Sequence, residues 1–174
     1  MDRDPEVQAL LDKQAITEVL VRYSRGADRA DVDLIRDCYH PDATEDHGGV
    51  FKGAAKDYVD SIAKVIHTFP VITHAVSNIL IDLKGQTAEV EAYITTFCRL
   101  KKDGELFDTL TLARVFDTFQ QRNGKWKIAA RRLTWEWQHE MPMRETWGRG
   151  LMAPDPAVLV RGAKKPHDRL YTRV

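Results

Sequence analysis

The chain has 174 residues, 43% apolar and 30% charged, a balance that calls for one domain with its own core and room for an internal pocket. Its 26 basic and 26 acidic residues cancel, so no basic field is on offer to nucleic acid or an anionic membrane surface, and neither is expected as a partner. The start, MDRDPEVQ, lacks an apolar signal core, no run approaches a membrane span, and Cys38 and Cys98 show no metal spacing; the expectation is a cytoplasmic protein with reduced, structural thiols.

Pro5 opens a helical pattern in which Leu11, Ala15, Leu20, Tyr23 and Ala27 recur on one side, through about Arg29. Gly26 weakens or bends its end. Asp28, one residue past the stripe, puts an acid near a helix C-terminus, the unfavourable end of the dipole, which hints at a task beyond a solvated helix end. Asp31 reads as the N-cap of a second, short helix with Leu34, Ile35, Cys38 and Tyr39 inward, ended by Pro41-Asp42. Ala43–Val50 is polar and glycine-flanked, a brief strand or loop in which Asp46 and His47 point to opposite sides. Each has a pocket reading and a surface reading. Gly53 introduces a third helix, Ala54–Thr68, with Tyr58, Ile62, Val65 and Ile66 as core positions, and Pro70 closes it.

From Pro70 the pattern alternates. Val71–Leu83 turns at Lys84-Gly85-Gln86 into Thr87–Leu100, which turns at Lys102-Asp103-Gly104 into Glu105–Gln121, and Arg122-Asn123-Gly124 leads into Lys125–His139. Glycine-bearing connections of this length are hairpin signals, and the product is a meander of long antiparallel strands. In the first strand one face carries Ile72, His74, Val76, Asn78 and Leu80, the other Val71, Ile79 and Ile81. Both faces are apolar, so the strand reads as buried on both sides. His74 and Asn78 then need partners, because a buried polar group without one costs about 1–3 kcal/mol. They are either satisfied core residues or the lining of a ligand cavity. Arg114 shares a face with Leu110, Leu112 and Phe116, against an apolar pocket wall or paired with a carboxylate. Trp135 and Trp137 share a face of the last strand with Leu133 and, if they line the pocket, favour a flat, cyclic or aromatic substrate. The order of elements predicts an α+β fold, three N-terminal helices packed on a strongly curved, mainly antiparallel sheet. Met141–Val174, with scattered Pro, Gly and charge, reads as an extended arm whose Trp147, Leu151, Met152, Leu159 and Leu170 need a surface.

Four strings occur together in this order: RYSRGADRADVDLIRDCYHPDA (Arg22–Ala43), EDHGGVFKG (Glu45–Gly53), THAVSN (Thr73–Asn78) and VFDTFQQRNGKWKIAARR (Val115–Arg132). Jointly they resemble the SnoaL-like branch of the NTF2-like superfamily, over roughly Leu11 to Trp137. The resemblance implies a cone-shaped barrel enclosing a deep, largely apolar pocket, with residues 1–140 as the NTF2-like domain and 141–174 as an extension over the pocket or a subunit interface. In the dehydratases of that branch an acid ending the first helix and a His on the first long strand form a dyad inside the cone, and Asp28 and His74 fall on those positions. A bile-acid dehydratase of the same branch adds a Tyr five residues before the acid, a spacing matched by Tyr23. Its last-strand arginine falls near Trp135 here, which implies a substrate not held by charge at that point. The steroid isomerases of the superfamily lack this His, so their mechanism is not implied.

The expected function is a cofactor-independent lyase, a dehydratase or related elimination or a C–C cleavage, acting on a hydrophobic cyclic or aromatic small molecule. His74 is the base, oriented by Asp28. Tyr23 stands beside them as a donor, and Asn78, Arg114, Trp135 and Asp46 are the candidate substrate-binding residues. No phosphate loop, dinucleotide fingerprint or metal triad occurs, so no cofactor and no metal are expected. A non-catalytic ligand-binding or protein-interaction module is the reading from another class, and an isomerase or aldol-type cyclase a third. Apolar residues on both faces of the strands predict a homo-oligomer built sheet against sheet, and the resemblance implies a trimer or, as in other relatives, a dimer.

Overall fold

The structure, a computed structural model, describes residues 4–145, 147, 155 and 157–172. Helix α1 (Pro5–Arg29) starts where Asp4 caps the Glu6 amide with Pro5 in the first turn, and ends at Ala30, whose φ of 54° is left-handed. Its buried face is Ile16, Val19, Leu20, Tyr23, Ser24, Gly26 and Ala27. Gly26 is explained by packing. A Cβ there would lie 2.8 Å from Ile35 Cγ1, so its absence lets the short helix α2 (Val32–Asp37) press against the end of α1. Strand β1 (Tyr39–Asp46) follows directly, and Pro41-Asp42, expected to end a helix, lies within it at exposed positions. After β2 (Lys52–Ala54) comes α3 (Ala55–Ala63), shorter than the expected Ala54–Thr68, with Ile66–Thr68 a separate 3-10 turn.

The long strands are β3 (Val71–Lys84), β4 (Thr87–Lys102), β5 (Glu105–Arg122) and β6 (Lys125–Pro142). The last two hairpin turns, Asp103-Gly104 and Asn123-Gly124, have positive φ at both residues, the twist that Asp-Gly and Asn-Gly favour. The strands form one sheet in the order β2-β1-β6-β5-β4-β3, antiparallel except where β1 runs parallel to β6. Three helices on a curved mixed sheet make the α+β cone expected from the element order. The core fills the concave side, with Ile16, Leu20 and Ile35 from the helices against Val115, Phe119 and Ile128 from the sheet.

Two bulges change which side chains share a face. In β3 the register slips by one between Ser77 and Leu80, with Asn78 in a left-handed conformation (φ 51°). Ile79, Ile81 and Leu83 therefore pack into the core with Ile72, His74 and Val76, while Asn78 and Leu80 face out, correcting the period-two reading of this strand. In β6 a slip opposite Leu112 and Ala113 pairs Trp135 with Ala113 and Trp137 with Leu112. Ala113 is buried against the core and Leu112 is on the outer face, so Trp135 and Trp137 do not share a face.

Candidate active site

α1 lies along β3, the last strand of the sheet, and its final turn brings Asp28 to His74. Asp28 Oδ1 accepts both the backbone N–H of His74, at 2.9 Å, and the ring Nδ1, at 2.6 Å. The backbone donor is one that an edge strand would otherwise leave unpaired, so the carboxylate closes the sheet edge and orients the ring in one contact. This accounts for an acid at the unfavourable end of a helix dipole. A carboxylate oxygen can only accept here, so Nδ1 is the donor, while Nε2 has no protein partner among the described residues. Both side chains are largely enclosed, 15% and 13% exposed.

Asp28 also lines a cleft of about 760 Å³ between the end of α1, the start of β3 and the C-terminal segment, walled in part by Val71, Ile72, Leu106, Trp147 and Leu159. The same segment completes the end of α1. The last carbonyls of a helix have no partner within it. Here Gly26 O accepts from Asp31 N and Ala27 O from Ala30 N, whereas Asp28 O accepts from Lys164 Nζ at 3.2 Å and Arg29 O from Lys165 N at 2.7 Å. Lys165 also pairs with Asp31 at 2.9 Å. Leu170 is half-buried; Leu151 and Met152, also expected to find a surface, lie outside the described residues.

A second polar cluster fills the cone beneath β1, β5 and β6. Glu45 is buried, with Oε2 accepting from the Tyr39 hydroxyl at 2.7 Å and Oε1 lying 2.7 Å from His47 Nδ1. The Tyr58 hydroxyl is 3.3 Å from His47 Nε2 and 3.3 Å from the Tyr23 hydroxyl. Arg131 stacks over the Tyr23 ring at 4.4 Å and holds Asp117 through two hydrogen bonds. Burial raises the Tyr23 hydroxyl above its ordinary pKa and the hydroxyls of Tyr39 and Tyr58 well above it, so all three remain protonated donors. Burial also pushes the Asp117 carboxyl up, against the pull of Arg131.

The candidate residues therefore divide. Asp28 and His74 meet. Tyr23 faces inward, but its hydroxyl meets Tyr58 rather than the dyad. Trp135 donates its indole N–H to Gly48 O at 2.9 Å and lies edge-on to His47 at 5.8 Å, which sets it beside the second cluster. The structure places the other three apart from the dyad. Asn78 is turned out by its bulge, Arg114 is on the outer face bonded to Glu136 and Glu91 at 2.9 and 3.2 Å, and Asp46 pairs with Lys52 at 2.9 Å near the surface. An interior cation does come from the last strand, at Arg131 rather than at the Trp135 position. Glu45, Asp117 and Arg131 were not singled out from the sequence, and Tyr39 was singled out only as an inward core position. Asp117 had a readable signal, a charge at the apolar beat of Ala113, Val115 and Phe119.

Among the described residues no three His, Cys, Asp or Glu side chains are placed to hold a metal ion, and no helix is long and apolar enough to cross a membrane.

A family model of the SnoaL-like domain matches residues 8–132. No protein with a curated description matches the sequence. Among solved structures the chain is similar to a Novosphingobium aromaticivorans protein whose name proposes it as a scytalone dehydratase, with a TM-score of 0.69 and 22% identity over 88% of this chain and 97% of that one. It is also similar to a type 2 hexachlorocyclohexane dehydrochlorinase, LinA, with a TM-score of 0.69 and 14% identity over 88% and 99% of the two chains. A type 3 LinA from Novosphingobium barchaimii gives a TM-score of 0.68 and 16% identity over 78% and 94%. At these identities the likeness is one of fold.

Proposed function

Because the chain belongs to the SnoaL-like family, we propose that it is a cofactor-independent lyase acting on a hydrophobic cyclic or aromatic small molecule. One observation carries the reading, the hydrogen bond of 2.6 Å between Asp28 Oδ1 and His74 Nδ1 with Nε2 left open. A carboxylate on Nδ1 fixes the tautomer whose Nε2 lone pair accepts a proton, and it stabilises the imidazolium that results. His74 Nε2 takes a proton from the substrate and electrons move to form a double bond as the leaving group departs with its bonding pair, halide as the anion, a hydroxyl or carbon fragment by taking the proton back from the imidazolium and so leaving as water or the protonated fragment. The enclosure of both side chains strengthens the pair by keeping solvent from competing. Similarity in fold to proteins named as a dehydratase and as dehydrochlorinases supports the same class. Two unpaired, buried cysteines support a reducing, cytoplasmic setting.

The test is a panel of hydroxylated and chlorinated ring compounds incubated with the protein in deuterated water. Elimination is read as loss of water or release of chloride, and proton abstraction as deuterium entering recovered substrate. The proposal expects turnover by the natural sequence and none by His74→Ala. Compounds that bind without any turnover or exchange would make the chain a binding module instead.

A further inference from the structure

The cations around the cleft at Asp28 differ in one respect. Arg99 is held by Asp108 and Glu145, Arg161 by Glu145, and Arg29 lies 3.6 Å from Asp168. Lys164 lines the same cleft and has no carboxylate within ion-pair distance among the described residues. Its ammonium spends one donor on the carbonyl of Asp28 at 3.2 Å and keeps two. It is half-buried, and burial draws its pKa below the ordinary lysine value against the opposing pull of Asp28. A partly desolvated, unpaired charge is costly until an anion meets it. Lys164 sits on the backbone of the very residue whose carboxylate orients His74, so an anion held by it lies beside Asp28. It also lies outside the stretch that the family model matches, residues 8–132.

We propose that Lys164 is the anion-binding residue of the site, and that the cleft takes a ring compound bearing a carboxylate, with the carboxylate on Lys164 Nζ and the ring against Val71, Leu106 and Leu159. The inference rests on the lyase reading for what happens next, but binding is measured apart from turnover. The chain's own charges fit this ligand. The described lining carries four cations, Arg29, Arg99, Arg161 and Lys164, against the two carboxylates of Asp28 and Glu145, and neither carboxylate forms an ion pair with Lys164. The ring and the acid are also separated as the cleft separates them, with apolar residues on the wall and the one free cation of the described lining at the helix end.

Benzoate and its uncharged isostere benzamide are the probes, titrated by calorimetry into the full chain. The natural sequence is expected to bind benzoate about tenfold more tightly than benzamide, the difference of one charge-assisted contact. Lys164→Gln keeps a donor for the Asp28 carbonyl but removes the charge; it should bring benzoate to the level of benzamide and leave benzamide unchanged. Lys164→Arg should restore the preference. His74→Ala should keep it, so the lyase reading can fail on turnover while the anion site stands, and the reverse. The proposal is overturned if the natural sequence binds no benzoate or does not prefer it. It is equally overturned if the preference survives Lys164→Gln, or if that change weakens both probes alike, the mark of a helix cap and nothing more.

Discussion

Arg131 on β6 and Asp117 on β5 are joined by two parallel hydrogen bonds, Nε to Oδ1 at 2.8 Å and Nη2 to Oδ2 at 2.6 Å, with side chains 1% and 0% exposed. Removing one partner strands a buried charge. Asp117→Ala should cost about 3–5 kcal/mol of unfolding free energy, whereas replacing both by apolar residues of similar volume should be close to neutral. Urea unfolding checks this; a single substitution costing under about 1 kcal/mol would show that the pair is not stranded by it.

The dyad predicts non-additive kinetics. Asp28→Asn keeps the bond to the strand but favours the wrong tautomer, and His74→Ala removes the base. On an elimination substrate the double variant should lose little more rate than the worse single one, because the pair acts as a unit. Nitrogen chemical shifts of His74 should show the proton on Nδ1 in the natural sequence. Rate losses that simply add in free energy would separate the two roles.

Acid should loosen the C-terminal segment. The Asp168 carboxylate accepts the backbone N–H groups of Ala163 at 2.9 Å and Leu170 at 3.0 Å, which hold its carboxyl below the ordinary 3.8. A depressed carboxyl favours docking at pH values above its undocked pKa and loses that contribution as pH falls through the docked one. Docking is thus unaffected from neutral pH down to about 4 and weakens below it. Amide shifts of Ala163 and Leu170 followed through this range report it. Shifts that stay constant to about pH 2 would count against the contact.

The outer face of the sheet predicts self-association. Leu110, Leu112, Phe116, Phe97 and Trp137 lie there without full burial, Trp137 at 42% exposure. Contiguous apolar surface of this kind is rarely left wet. Light scattering should give the mass of a dimer or trimer, and Leu112→Glu should shift it toward monomer while leaving the melting temperature nearly unchanged. A monomeric natural sequence ends the idea.

What was readable in advance followed from local chemistry. Asp103-Gly104 and Asn123-Gly124 demand positive φ, so the hairpins fell in place within a residue or two. The join of Asp28 to His74 came from resemblance, since no periodicity connects residues 46 apart. The misread faces of β3 and β6 share a cause. A bulge inserts one residue and inverts every face beyond it, and neither the slip at Ser77–Leu80 nor the one opposite Leu112 and Ala113 leaves a mark on composition. Asn78 was therefore counted inward and Trp137 alongside Trp135. Asp117 and Arg131 were not singled out because they lie 14 positions apart on neighbouring strands, and the partner is what makes such burial tolerable.

The end of α1 gives the molecule an order of assembly. Asp28 emerges early in synthesis, yet the carbonyl it carries waits for Lys164, 136 positions later. A nascent chain that has already paired its six strands still lacks the donors that residues 164 and 165 bring to the carbonyls of Asp28 and Arg29. The first helix is therefore fastened only after the sheet is complete, when residues 164 and 165 reach its last carbonyls.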